Sequence, residues 1–467
     1  MRLTHIRGST EEHFDPDLST SPSLPHSLAY PSTPLPYSNR KLRFTNVIPG
    51  IFFFLVVISV TIYVFATVGN LAALSHPPNN GLNNGTTDHP YYDDTLMMNL
   101  RLERVIQDGK SNDDIEIHQS IDGEYGNPMT YPPRSCMMPN YVSRGNRIFM
   151  EYDDDSSTPL SIKGINWFGM ETAHGTPLGL WNNGKNGTTV YEIATFLAKN
   201  KFNSVRLPLC ITSIVNNIIP QADFIHHSSN RAIVTDSYMD LLSSLIEALG
   251  YRNISVLLDF HTLSPTEVGS LWYSPAVPEN MVLHAIQVVT RTLCKPQYWN
   301  VIGLDLKNEP HGAVWGGTNK AIDFKAAVER MGNAMLNHCP TWLAFVEGVY
   351  THHTTVIQGQ EVSYNDWWGG GLQLAGKQPP VLSTPHKIVY APHYYNPSVY
   401  PSAFYYDKSG GELNNDRLQA RIVGTMDHMF GYLTSPSSSS AAVVLGEFGG
   451  LYTNDAHPRR TTRRSIE

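Results

Sequence analysis

A chain of 467 residues holds one barrel-sized domain with extensions or roughly two to three average domains, and a 41% hydrophobic fraction suffices for a sizeable core. Its formal charge of -8 comes without a long basic stripe, which excludes the electrostatic footprint of a nucleic-acid binder. The four cysteines, Cys136, Cys210, Cys294 and Cys339, make no Cys-x-x-Cys pair and no His-Cys ligand spacing, so no structural zinc is expected; no other metal and no cofactor is expected either.

Residues 1–46 are rich in Ser and Pro, lack hydrophobic periodicity and read as a disordered cytosolic tail. Residues 47–68 are uncharged and strongly apolar. At ~1.5 Å per residue this run matches a bilayer core of about 30 Å and predicts a transmembrane helix. Arg40, Lys41 and Arg43 precede it and the next basic residue is Arg101. The positive-inside rule therefore makes the chain single-pass type II, with the remainder extracellular or lumenal. The sequons at Asn84, Asn186 and Asn253 all fall on that side. Residues 69–140, rich in Asn, Gly, Pro and Asp, read as a stalk.

From 141 to 455 the texture is globular. Arg147 to Met150 and Leu160 to Ile162 flank a polar turn and predict a hairpin closing a barrel floor. Short apolar strands follow at 162–168, 204–209, 255–261, 301–307, 343–347, 388–393 and 443–448, with helical stretches between them. Near-continuous apolar strands joined by crossover helices predict a (β/α)8 TIM barrel, not an open doubly wound sheet, and no Gly-x-Gly-x-x-Gly follows the first strand. Seven of the eight units can be counted before a tail at 456–467, so the barrel is expected to be C-terminally truncated. Cys294 ends one predicted helix and Cys339 the next, so the two could meet at the barrel floor and bridge; buried free thiols are the alternative.

Catalytic groups of such barrels gather at the C-terminal ends of strands. The apolar runs here lead into Arg206, His261, Asn308 and Glu309, His393 and Tyr395, and Glu447. A charge in an apolar strand costs several kcal/mol unless paired, which marks this set as chemistry. Carboxylates on the fourth and seventh strands sit across a barrel mouth, where a pair about 5 Å apart can cleave a glycosidic bond with retention. Glu447 is then the nucleophile, held ionised by Arg206 and Tyr395, and Glu309 the acid and base with a raised pKa. Asn308 would hold the sugar 2-hydroxyl, and His261 and His393 would donate to substrate and carboxylates. Trp181, Trp272, Trp315, Trp367 and Trp368 lie in loops predicted at the barrel top, as stacking platforms for sugar rings or as core. Glu347 reads as a structural ion-pair partner, and Asp259 and Asp305 as hydrogen-bonding neighbours.

Asn308-Glu309-Pro310, Gly446-Glu447-Phe448-Gly449, Arg206-Leu207-Pro208 and His393-Tyr394-Tyr395 resemble glycoside hydrolase family 5. GINWFGMET (164–172), LWYS (271–274), DLKNEPHG (305–312), FVEG (345–348) and WWGG (367–370) look like its cellulase members. Over residues 145–450 the resemblance implies a retaining endo-β-1,4-glucanase acting on cellulose-like β-glucan, with the roles above on the same residues. The family's eighth strand supplies a tryptophan beneath the sugar, and no Trp follows Trp368 here. Other β-glycans, glycolipid sugars, a non-catalytic carbohydrate-binding relic or a membrane adhesin are the alternatives.

Overall fold

The computed structural model describes residues 128–131, 137–180 and 188–450. The apolar run at 47–68, both tails, most of the stalk, Trp181, Cys136, Asn84 and Asn186 lie outside these residues. Among the described residues no helix is long and apolar enough to cross a membrane.

Strands β1 (Asn140–Arg144), β2 (Arg147–Glu151) and β3 (Ser157–Leu160) form an antiparallel sheet. The first turn is Gly145-Asn146, both at positive φ (55° and 59°), the backbone twist that two-residue hairpins favour. The expected hairpin is thus the β2–β3 pair, with β1 added on its outer edge. Tyr141 and Ile148 of this sheet pack under Leu257, Ile302, Leu343, Phe345 and Val389, so the hairpin plugs the strand bundle from below.

Seven parallel strands follow: β4 (Gly164–Asn166), β5 (Ser204–Cys210), β6 (Ser255–Thr262), β7 (Val301–Asp305), β8 (Leu343–Val346), β11 (Ile388–Tyr390) and β13 (Ala442–Val443). They pair as neighbours in chain order, each with the next, as a (β/α) barrel sheet does. β5 is buried at every position because crossover helices cover one face and the inner core fills the other. The helices are α1 (Val190–Lys199), α2 (Ile211–Asn216), α3 (Tyr238–Tyr251), α4 (Glu279–Leu293), α5 (Phe324–Leu336) and α6 (Asn415–Met429). Local chemistry sets their starts. Thr189 and Glu192 form a reciprocal capping box on α1, and Ser237, Asp323 and Asn414 cap α3, α5 and α6.

Three features depart from the sequence reading. The first strand is shorter than expected, because Gly169 turns the chain at φ 136° and Phe168 is exposed beyond the sheet. A hairpin of β9 (His352–Ile357) and β10 (Gln360–Asn365) inserts after β8, turning at Gln358-Gly359. Tyr131, assigned to the stalk, packs against Tyr251 with ring centroids 5.4 Å apart and belongs to the core.

Cys294 and Cys339 are bridged, with Cα atoms 5.7 Å apart and a sequence separation of 45. The bridge joins the ends of α4 and α5, and a loop of this length removes about 4 kcal/mol of chain entropy from the unfolded state. Cys210 is buried and free.

β12 (His393–Tyr395) and β14 (Glu447–Gly449) continue β11 and β13 after a break and pair in parallel, His393 opposite Glu447. Among the described residues β4 and β13 are the two ends of the curled sheet; a 3.3 Å hydrogen bond from Asn166 Nδ2 to the Gly446 carbonyl reaches from one to the other.

Candidate active site

Arg206, inside β5, is the hub. Its guanidinium is 4% exposed and lies within 3.1 Å of one oxygen each of Asp259, Asp305 and Glu347, and 2.6 Å from Glu447 Oε1. It also donates to the side-chain carbonyls of Asn166 and Asn308, at 3.2 and 3.0 Å. The planar fork can meet all of these at once, which a lysine ammonium cannot. Burial alone would lower its pKa, but Asp259, Asp305, Glu447 and Glu347 raise it well above the ordinary arginine value.

His393 is the second hub and is fully buried. Nδ1 lies 3.1 Å from Glu309 Oε1 and 3.9 Å from Glu447 Oε2, and Nε2 lies 3.0 Å from Glu347 Oε1. Burial disfavours its charge, yet Glu347 and Glu447, with hydrogen bonds to Glu309 and Glu347, hold its pKa well above the usual histidine range. One carboxylate oxygen of Glu309 and one of Glu447 therefore converge on one imidazolium edge, within 4.8 Å of each other.

The two glutamates sit in different environments. Burial pushes the Glu447 carboxyl up, but His393, Arg206 and the hydrogen bond from Tyr395 Oη outweigh it and bring the pKa down to about 2. Tyr395 itself is raised by burial and by the Glu447 charge, so its hydroxyl stays a donor. Glu309 is held by its backbone. Its φ of 49° is a conformation that costs a non-glycine residue about 1–3 kcal/mol. The surroundings impose it: Glu309 N donates to Glu347 Oε2 at 2.7 Å, and the Glu309 carbonyl accepts from the backbone N of His311 at 2.7 Å.

Beneath this pair the remaining groups act on one another. His261 Nδ1 lies 2.7 Å from Asp259 Oδ2, which orients an imidazole that is 23% exposed. Burial and the charge of Glu347 push Asp305 well above the normal carboxylate range against the pull of Arg206. Lys307 is lowered to about 8, burial being the largest cause, and its Nζ donates to the carbonyls of Val268, His261 and Asn308. Two groups, Asp305 with Glu347 and His393, and Glu309 with His393 and Glu447, converge as metal-ligand sets would. In both, Arg206 or a charged His393 already neutralises the carboxylates.

The structure sorts the expected tryptophans by burial. Trp272 is fully buried against Tyr273 and Phe324, so it is core and not a platform. Trp315 is also buried, packs on Phe324 and spends its N–H on the Gln378 carbonyl. Trp367 is nearly buried and braces Tyr395 edge-on, ring centroids 5.6 Å apart. Trp368 is 45% exposed and lies flat on His311. It is held at the site by Gly369, at φ 75°, where a Cβ would collide with Glu347 Oε2 and crowd the His393 ring.

Sequence reasoning missed three contributors. Asn166, the last residue of β4, holds Arg206; Glu171 is buried with its Oε2 accepting from Gly169 N at 2.7 Å; His311 faces Trp368. The Asn-Glu-Pro-His run contained the signal for His311, but only the fold brings Trp368 against it.

The profile of one family, Cellulase (glycosyl hydrolase family 5), matches residues 155–466. An endoglucanase of Paenibacillus polymyxa is 32% identical over 314 residues, 66% of this chain and 71% of that protein. The major extracellular endoglucanase of Xanthomonas campestris pv. campestris is 32% identical over 302 residues, 64% of this chain and 56% of that protein. An endocellulase from Pyrococcus horikoshii, solved as a variant in complex with cellotetraose, superposes with a TM-score of 0.58 at 31% identity, covering 70% of this chain and 85% of that one. The catalytic domain of the Xanthomonas enzyme gives a TM-score of 0.56 at 29% identity over 69% and 84% of the two chains. The strand-end cluster on a parallel curled sheet and a profile match over most of the chain lead to one conclusion: the protein belongs to glycosyl hydrolase family 5 and is an O-glycosyl hydrolase.

Proposed function

We propose that the protein is a retaining endo-β-1,4-glucanase that cuts cellulose-like chains with Glu447 as nucleophile and Glu309 as acid and base. The observation that carries this reading is the pair of carboxylates with an oxygen of each within 4.8 Å of the other, one of them ionised down to about pH 2. Retaining enzymes hold their two carboxyl groups about 5–5.5 Å apart and inverting enzymes roughly 6.5–9.5 Å to seat a water, so oxygens this close support direct attack by Glu447.

Glu447 attacks the anomeric carbon as Glu309 gives its proton to the departing glycosidic oxygen, which forms a glycosyl ester and frees the leaving chain. Glu309, now ionised, takes a proton from water, whose oxygen attacks the same carbon and releases Glu447. His393 touches both carboxylates and offsets the charge that shifts between them. Asn308 has given its carbonyl oxygen to Arg206, so its amide N–H groups are left for the sugar 2-hydroxyl. Trp368 provides a flat exposed ring for a pyranose face.

The substrate assignment draws support from relatives named as endoglucanases and from a neighbour solved with cellotetraose. Placement outside the cytosol on the 47–68 anchor fits the Cys294–Cys339 bridge, since disulfides persist in oxidising compartments, and an exposed sequon at Asn253. Membranes from a host expressing residues 1–467 should release reducing sugar from carboxymethyl-cellulose, and deleting residues 1–68 should move that activity to the soluble fraction. Release from mannan or β-1,3-glucan alone would contradict the substrate, and soluble activity from the full chain would contradict the anchor.

A further inference from the structure

His311 makes three contacts that the two-glutamate chemistry does not use. Its backbone N–H and its ring Nδ1 both reach the carbonyl oxygen of Glu309, at 2.7 and 2.9 Å. A carbonyl only accepts, so Nδ1 carries the proton. The same imidazole lies parallel to the Trp368 indole, ring centroids 3.8 Å apart and planes 10° from parallel. It covers one face of that ring, and Trp368 is still 45% exposed.

We propose that His311 is a positioning residue that locks Glu309 in its left-handed turn and seats Trp368 as the platform for the sugar ring on the leaving-group side of the cut. This rests on the reading of Glu309 as the proton donor. The side is inferred from that attachment: the platform is fastened to the backbone of the group that protonates the departing oxygen, which favours the departing chain for a ring stacked on it. A side chain serving only to pack the loop would need neither the Nδ1 donor nor a face parallel to an exposed indole. The two arms act on different steps. The stack places the departing sugar, and the Nδ1 bond holds the acid in a conformation that the chain otherwise disfavours.

The test compares cellopentaose, which reaches across the cut, with 2,4-dinitrophenyl β-cellobioside, whose departing group is not a sugar and leaves without a proton. In His311→Ala, kcat/KM for cellopentaose should fall roughly three- to tenfold, the factor for a lost aromatic stack. The same parameter for the aryl cellobioside should stay within about twofold. Trp368→Ala should raise KM for cellopentaose as His311→Ala does but spare kcat, since it loses the stack and keeps the Nδ1 bond, and the double variant should raise KM little further, because residues acting through one contact are not additive. His311→Phe restores the stack without the Nδ1 donor, so KM for cellopentaose should recover while kcat stays low. That variant also decides the matter if the alanine variant folds poorly. Equal losses on both substrates, or single effects on KM that add in full, would overturn the proposal. A Glu309→Ala chain that cleaves cellopentaose normally would instead strike the assignment of the acid.

Discussion

Glu447→Gly should lower hydrolysis of cello-oligosaccharides by on the order of 10⁴–10⁶, the scale of removing a catalytic nucleophile, while the fold survives. Added azide fits the space left by the side chain. With an aryl cellobioside it should restore turnover and give the α-glycosyl azide, because it attacks from the face Glu447 occupied. Glu309→Ala should behave differently. Cleavage of unactivated glucans should fall by about 10²–10⁴, the usual contribution of general acid catalysis, but dinitrophenyl cellobioside should still form the glycosyl ester. Azide should then intercept that ester and give the β-azide. Opposite anomers from the two variants would assign each glutamate to its own step, and the same anomer from both would contradict the assignment.

The second large effect concerns stability and pH together. Arg206→Leu should destabilise the fold by at least about 3–5 kcal/mol, since it leaves Asp259, Asp305, Glu347 and Glu447 around a buried vacancy in charge. Arg206→Lys keeps the charge but cannot reach all four carboxylates, and its consequence appears in the pH profile. Glu447 has a folded pKa of about 2 against 4.5 for the free group, so its contribution to stability is present above about pH 4.5 and is lost as pH falls through about 2. His393 has the opposite sign. Its raised pKa stabilises the fold fully below about pH 6.5, and that contribution is lost as pH rises through the higher folded value. In Arg206→Lys the acid limb of kcat/KM should therefore move up toward ordinary glutamate values, with the acid-side melting transition following it. An acid limb that stays at the same pH would mean that Arg206 does not hold Glu447 ionised.

Much of this cluster was legible because physical cost makes it so. Arg206 in the run SVRLPLC and Asp305 in VIGLD are charges in wholly buried strands, and such charges survive only when partnered. The strand ends pointed to Glu309, His393 and Glu447 for the same reason, and barrel topology turned a list of residues into a ring. Glu347, read as an ion-pair partner, lies fully buried against Arg206 and His393. The tryptophans could not be sorted in this way. Trp315 and Trp368 both stand in glycine-rich loops, and which of the two is covered depends on Phe324 and Gln378, elements that no local pattern couples to them. The hairpin of β9 and β10 was missed because HHTTVI carries its only apolar residues, Val356 and Ile357, side by side, and QEVSYN alternates just two, Val362 and Tyr364, onto its buried face, too short a pattern to mark a strand. His311 escaped notice because its meaning lies in a ring that only the fold brings to it.

Retention through a glycosyl ester depends on the closeness of Glu309 and Glu447, and the stereochemistry of the first product tests that most directly. Proton NMR during cleavage of cellopentaose should show the β-anomer of the newly formed reducing end appearing first, with the α-anomer growing in only by mutarotation. An initial α-anomer would mean that water attacks directly, and the two-step mechanism through Glu447 would be wrong.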